Sequence, residues 1–317
     1  MKPKVAFPFR HHGTLVCQEA KQMLIDAGFE LVCNDTGEKL SAEAQKEMIC
    51  DAFGIVAGTE KYDADMIAAA KECKVIIRFG VGLDNFDLKA MRSAGIQVGV
   101  IENNNAVAEF TLTLMLSMLR NLPRCDSAVR QGLWSRFPAC ELSGKTVGIV
   151  GFGRIGMRLA KLLSGFDVEL LVYDPYVNKE RCEQLEAKPV SLDELLSASD
   201  IISLHLPATP QTKHLINAET IGKMKDSAYL VNTSRGSLVD EAELFAALKS
   251  GKLAGAALDV YEVEPVTKDN PLFELENVVL SPHLSALTHE TNYNAGIISA
   301  QSIIQVWNGQ EPLHPVR

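Results

Sequence analysis

Three side chains of complementary chemistry follow short apolar runs in the second half of the chain: Arg235 in VNTSRGSLVD, Glu264 in LDVYEVEP and His283 in LSPHLSA. Each run reads as a β-strand, so all three residues stand just past strand ends, where parallel α/β sheets gather their ligands. An arginine there suits a carboxylate and an adjoining carbonyl, because its planar fork stays charged and matches that geometry. A histidine suits proton transfer near neutral pH. A neighbouring carboxylate would orient the ring and keep imidazolium available to protonate a carbonyl oxygen. Taken singly, Arg235 could be an ion-pair partner, His283 a satisfied buried histidine and Glu264 a solvated loop acid. The shared strand-end position favours a site.

The element that would organise such a site runs from Lys145 to Pro175. An apolar strand, Thr146 to Val150, breaks at Gly151-Phe152-Gly153-Arg154-Ile155-Gly156 into a segment of helical spacing, Ile155, Leu159, Leu162 and Leu163. Gly151 permits the tight turn, Gly153 lets backbone approach a pyrophosphate, Gly156 lets the helix pack on the strand, and the helix start offers N–H groups to the anion. A second strand, Glu169 to Tyr173, ends at Asp174, placed to meet an adenosine ribose. An acid there binds the ribose hydroxyls and repels a 2′-phosphate, which favours NAD over NADP. A lone glycine motif is weak; strand, helix and acid in this order make it specific. With a nicotinamide cofactor, the Arg, Glu and His match the needs of hydride transfer to a 2-oxo acid.

A chain of 317 residues, 47% hydrophobic, can bury two moderate cores, and two domains imply a cleft. The net charge of −9, with Lys and Arg dispersed, argues against a nucleic-acid or anionic-membrane surface and for a small-molecule partner. Seven scattered cysteines form no CxxC pair and no metal-ligand spacing, so no metal is expected and the thiols suit a reducing cytoplasm. MKPKVAFPFRHHG lacks a signal-peptide core, and no run approaches the roughly 18 apolar residues of a membrane span. A soluble, cytoplasmic protein is expected.

Before the glycine motif, strands near Val5, Leu31, Gly54, Val75 and Gln97 alternate with helices near residues 17–27, 42–52, 64–70 and 88–94. After it, strands near Pro189, Asp200, Ala228, Ala254 and Val278 alternate with helices near Lys179, Leu192, Ala218 and Glu241. The pattern predicts an α/β fold of two Rossmann-like, doubly wound parallel-sheet domains. The last helix, about Thr288 to Trp307, is left over and is expected to return to the first domain, making that domain discontinuous. The expected division is 1–100 with 286–317 for substrate and 101–285 for NAD. Between them, Asn105 to Arg120 is apolar on nearly every side and must be covered, in an interface between domains or between subunits. Arg10, His11 and His12, just past the first strand, could contact an anionic substrate or form a solvated loop.

GFGRIG with Asp174, VNTSRG, ALDVYEVEP and SPH follow the order and spacing of the D-2-hydroxyacid dehydrogenase family, and nearly the whole chain resembles the catalytic part of its D-3-phosphoglycerate dehydrogenases. The resemblance implies that Arg235 binds substrate carboxylate and carbonyl, His283 is the acid/base and Glu264 its partner. It implies Asp259 at the nicotinamide carboxamide, Asp174 at the ribose, Arg154 and Ile155 at the pyrophosphate, and Thr233, His205 and Pro207 along the cofactor, with His205 structural rather than catalytic. In the first domain RFGVGLDNFD resembles the loop whose amides, here Val81 and Gly82, take the substrate carboxylate, with Asn85 bracing it. The family also implies a homodimer through about 105–143. Closure of the two expected domains would exclude water.

Two departures bear on substrate. The run VGVIENNNAVAEF lacks the Thr-Pro-Gly that the family commonly carries, and Ala57 stands where animal-type phosphoglycerate enzymes have Arg. Arg78 and Arg136 do match cationic positions near the substrate tail. The chain ends at Arg317 soon after its last helix, so an appended regulatory domain with serine feedback is not expected. The expected activity is NAD-dependent interconversion of a small D-2-hydroxy acid and its 2-oxo acid, with 3-phosphoglycerate as one candidate. The alternatives are a glyoxylate/hydroxypyruvate or lactate-type reductase, and a non-catalytic NAD-sensing corepressor-like protein.

Overall fold

The computed structural model describes residues 2–10, 12–102 and 104–316, apart from the side chains of His12 and Thr14. Two units divide the chain, Met1–Asn103 with Leu287–Arg317, and Asn104–Ala286. The first opens with β1 (Lys4–Phe7), α1 (His12–Leu15), α2 (Gln18–Asp26), β2 (Glu30–Cys33), α3 (Ala42–Ile49) and β3 (Ala52–Ala57). It continues with α4 (Ala64–Ala69), β4 (Val75–Arg78), α5 (Leu88–Ser93) and β5 (Gln97–Val100). Its parallel sheet has the order β2-β1-β3-β4-β5. Helices cover both faces, so alternate residues of one strand enter different cores. Val5 and Phe7 pack with Val56, Val75 and Ile77, whereas Ala6 packs with Ile55 and Ile76.

The second unit begins with α6 (Asn104–Leu119), α7 (Leu122–Arg130), β6 (Thr146–Val150), α8 (Arg154–Leu163), β7 (Glu169–Tyr173), α9 (Lys179–Gln184) and β8 (Ala187–Pro189). There follow α10 (Leu192–Ala198), β9 (Ile201–Leu204), α11 (Ala218–Lys223), β10 (Tyr229–Asn232), α12 (Glu241–Ser250), β11 (Gly255–Leu258) and β12 (Val278–Leu280). The last helix, α13 (His289–Trp307), belongs to the first unit, where it packs on α2 and β4 and adds Ala300 and Ile303 to the core of Val5 and Phe7.

The second sheet is parallel throughout, in the order β12-β11-β10-β9-β6-β7-β8. From β6 the chain first builds one way through β7 and β8, then restarts at β9 and builds the other way. The crevice outside the carboxyl ends of β6 and β9 is therefore a topological switch point, where such sheets bind ligands. Val147 and Ile149 of β6 face a core shared with α6 and α8, and Val150 faces the core beneath α10 to α12. Side-chain caps fix several helix starts: Ser191 accepts from the amide of Glu194, and Asn217 forms a reciprocal capping box with Thr220.

Some elements differ from the sequence pattern. Helix α3 stops at Ile49 because Ala52 already pairs with Lys4 as the start of β3. Helix α6 is not buried all round: Asn105, Glu109 and Thr113, spaced four apart, form an exposed stripe. Of Arg10, His11 and His12, only the side chain of Arg10 lies within the described residues, and it is exposed. Among the described residues no helix is long and apolar enough to cross a membrane.

Candidate active site

Every singled-out residue of the second unit from Gly151 onward lies past the carboxyl end of a strand on one edge of the same sheet. The glycine turn follows β6, Asp174 follows β7, His205 follows β9, Thr233 to Arg235 follow β10, Asp259 to Glu264 follow β11, and His283 follows β12. The last three strands are neighbours, which brings Arg235, Glu264 and His283 onto adjacent loops.

Nδ1 of His283 lies 2.6 Å from Oε2 of Glu264. A carboxylate only accepts, so Nδ1 carries the proton of this bond and Nε2 is left to exchange one with a ligand. The histidine side chain is 48% exposed, which leaves it accessible. Burial opposes ionisation of Glu264, yet the His283 hydrogen bond, the Tyr261 amide and the charges of His283 and Arg235 outweigh it and hold the carboxyl below the usual glutamate range. Oε1 of the same carboxylate accepts from the Tyr261 amide at 3.0 Å. Arg235 is half-buried; its Nη1 donates to the Ser234 carbonyl at 2.7 Å, and the Asn232 side chain donates to the Arg235 carbonyl at 2.9 Å.

Asp259 fixes the loop that presents His283. Its side chain is fully buried, and its oxygens accept from Ser281 Oγ (2.6 Å), the Leu284 amide (3.0 Å) and the Ser285 amide (2.9 Å). Its carbonyl accepts from the His283 amide at 2.8 Å. These bonds hold His283 at φ 52°, a left-handed conformation that a non-glycine residue adopts only when its surroundings impose it. The resemblance puts Asp259 at the carboxamide; here both carboxylate oxygens are engaged by residues 281–285.

The glycine turn fits a dinucleotide. Gly151 has φ 97°, and a Cβ there would lie 2.6 Å from the backbone of His205, so strand ends β6 and β9 meet through a glycine. A Cβ on Gly156 would lie 2.3 Å from the carbonyl of Gly151. Among the described residues, nothing beyond the chain neighbours of Gly153 lies within 4 Å of its Cβ position, and no side chain caps α8, so the helix start is open to an anion. The Asp174 carboxylate accepts from the amides of Phe152 and Tyr176, each at 2.8 Å, which ties the end of β7 to the turn and leaves it acceptor capacity for a ribose.

His205 is held differently from His283. Its Nε2 lies 2.8 Å from Ser203 Oγ, Nδ1 has no hydrogen-bond partner among the described residues, and burial holds its pKa down to about 4, so the ring is neutral. The Thr233 hydroxyl is buried and pairs with Thr111 of α6 at 2.8 Å. Pro207 accepts from Thr212 at its carbonyl. Sequence reasoning missed Thr111 and Ser281, whose partners Thr233 and Asp259 are distant in the chain, and Asn232, whose partners Ser234 and Arg235 are local and which carried a signal in the turn-like NTSRG run.

In the first unit, Arg78 donates through Nε to the Gly82 carbonyl (2.9 Å) and through Nη1 to the Phe79 carbonyl (3.2 Å), wrapping the loop that carries Val81 and Gly82. Asn85 donates to the Glu60 carbonyl and accepts from the Tyr62 amide, so it braces that loop. Ala57 is fully buried, and Arg136, in the second unit, is exposed.

A doubly wound sheet with a glycine cradle at its switch point, and with a Glu–His pair and an arginine on loops of the same edge, is the architecture of a dinucleotide-binding unit. Residues 112–285 match the model of the family described as D-isomer specific 2-hydroxyacid dehydrogenase, NAD binding domain, and the chain belongs to this family. A D-3-phosphoglycerate dehydrogenase of Archaeoglobus fulgidus is 45% identical over 259 residues, covering 80% of this chain and 49% of the relative. A glyoxylate reductase of Thermofilum pendens is 43% identical over 269 residues, 80% of this chain and 78% of the relative. The chain thus spans about half the length of the phosphoglycerate dehydrogenases it matches. Among solved structures, a protein from Thermus thermophilus aligns with a TM-score of 0.90 at 32% identity, over 99% of this chain and 100% of that one. A glyoxylate reductase from Paecilomyes thermophila aligns at 0.88 and 29%, over 99% and 98%.

Proposed function

We propose that the chain is an NAD-dependent oxidoreductase interconverting a small D-2-hydroxy acid and its 2-oxo acid. The observation that carries this reading is the 2.6 Å contact of His283 with Glu264 on the sheet edge that also holds the glycine cradle. When bound, the nicotinamide supplies or accepts the hydride at C2 of the substrate. Arg235 holds the substrate carboxylate and polarises its carbonyl. His283, protonated on both nitrogens, gives its Nε2 proton to the oxygen that becomes hydroxyl, and takes it back in the oxidising direction. Glu264 keeps the ring aligned and balances its charge. The amides of Val81 and Gly82 contact the substrate carboxylate, and Arg78 supports their loop; this part rests on the family resemblance.

Relatives at similar identity are named for a phosphorylated and an unphosphorylated acid, and Ala57 presents no cation. The ratio of efficiencies for 3-phosphohydroxypyruvate, hydroxypyruvate, glyoxylate, pyruvate and branched 2-oxo acids decides between them. NADH that binds but is oxidised by none of these acids would refute the enzymatic reading and favour an NAD-sensing binding protein. We further infer a homodimer through about 105–143, supported by the exposed Leu122, Val129, Leu133 and Trp134, the last 82% exposed. The seven cysteines, all free, suit a reducing cytoplasm.

A further inference from the structure

His214 lies between β9 and α11 and has no part in the chemistry above. It adopts φ 49°, a left-handed backbone conformation, and its side chain and backbone reach two different loops. Its amide donates to the Ser237 carbonyl at 2.8 Å, two residues past Arg235. Its Nε2 lies 2.6 Å from Oε1 of Glu262, two residues before Glu264, and its Nδ1 lies 3.7 Å from Oδ2 of Asp240. The segment it opens continues along the Arg235 loop: the Ile216 amide donates to Leu238, and the Asp240 amide donates back to Ile216.

The two loops also meet directly. A Cβ on Gly236 would lie 1.9 Å from the carbonyl of Tyr261, so the backbone after Arg235 rests on the Tyr261–Glu262 peptide. That peptide adjoins the Tyr261 amide that holds Oε1 of Glu264, while the Glu262 amide is held by the Glu241 carboxylate. A shift at Glu262 therefore reaches Glu264, and through it the ring of His283. As an exposed ion pair alone, His214–Glu262 would be worth little. Its left-handed backbone and double attachment point to another use, since strain persists where the surrounding structure imposes it.

We propose that His214 is a positioning residue: it fixes the Tyr261–Glu264 loop against the Arg235 loop and so sets the Glu264–His283 contact. The inference builds on the proposed dehydrogenase reading for its effect on turnover, but the contact itself can be observed without turnover. In protein labelled with 15N at histidine, the His283 ring signals are assigned by their loss in His283→Ala and compared in wild type, His214→Ala and His214→Gln. Glu262→Gln perturbs the same contact from its other side, so the test survives if His214→Ala fails to fold. The expected result is a displaced His283 Nδ1 signal in His214→Ala and Glu262→Gln, with partial return in His214→Gln, whose amide can still donate to Glu262. On the 2-oxo acid reduced best, kcat of His214→Ala should fall about tenfold to a hundredfold while NADH affinity changes less than about twofold. His283 signals that stay at their wild-type positions in both variants, or a loss of NADH affinity equal to the loss in kcat, would overturn the proposal. If the wild type reduces no 2-oxo acid, the functional reading fails, and the ring signals alone decide the role of His214.

Discussion

At the scale of single residues, the site separates groups by what their surroundings leave unsatisfied. The Glu264 carboxylate has a partner on each oxygen, one of them the ring that it aligns. Asp174, the acid proposed to meet the ribose, is anchored by two amides but keeps acceptor capacity for hydroxyl donors. We expect Asp174→Ala to reduce the preference for NADH over NADPH roughly tenfold, the value of one charge-assisted hydrogen bond, as read by fluorescence titration with each cofactor. An unchanged preference would move cofactor discrimination elsewhere. His205 shows the opposite arrangement, a ring kept neutral by burial at a pKa of about 4. The unfolded chain takes up that proton near pH 6.5, so this contribution to stability is full above 6.5 and is lost as the pH falls toward 4. The loss approaches about 3 kcal/mol at the lower limit. Thermal unfolding of His205→Gln should show a shallower decline between about pH 7 and 4.5 than wild type; parallel declines would remove His205 from the acid sensitivity.

At the scale of elements, what the sequence reveals depends on how far away the partner of each residue lies. The alternation of strand and helix was legible because both faces of each sheet are buried, giving short continuous apolar runs such as TVGIV and IISL between helical spacings. The glycine turn was legible for the same local reason: the carbonyl that Gly156 must clear belongs to Gly151, within the same turn. Gly236 carried no such signal, since it accommodates Tyr261, which joins it only through the pairing of β10 with β11. Asp259 could be recognised as an acid at a strand end, but not as the clamp of residues 281–285, which follow the next strand. The exposed stripe of α6 was missed because Asn105, Glu109 and Thr113 are interspersed with apolar residues and with the buried Thr111. At Gly151 a side chain meets both a positive φ and the His205 backbone. Gly151→Ala should destabilise the fold by about 1–3 kcal/mol in denaturant unfolding and weaken NADH binding. Wild-type values for both would mean that the strand ends have slack.

At the scale of the whole molecule, the net charge of −9 opposes the anionic acid of the proposed reaction, so under that reading binding would depend on a few placed groups such as Arg235 rather than on the general field. The apolar side chains Leu122, Val129, Leu133 and Trp134 stand exposed in a single chain. Light scattering at micromolar concentration should give close to twice the chain mass of 34.6 kDa, and a monomer would contradict the inferred dimer. In the proposed reaction His283, aligned by Glu264, moves the proton that accompanies hydride transfer. The most direct test of this role is a single-turnover stopped-flow measurement of NADH oxidation by the 2-oxo acid reduced best, in wild type and His283→Ala, with NADH affinity measured on both. We expect the rate to fall by about 10²–10⁴-fold in the variant with NADH affinity nearly unchanged. A variant that oxidises NADH at close to the wild-type rate would remove His283 from proton transfer.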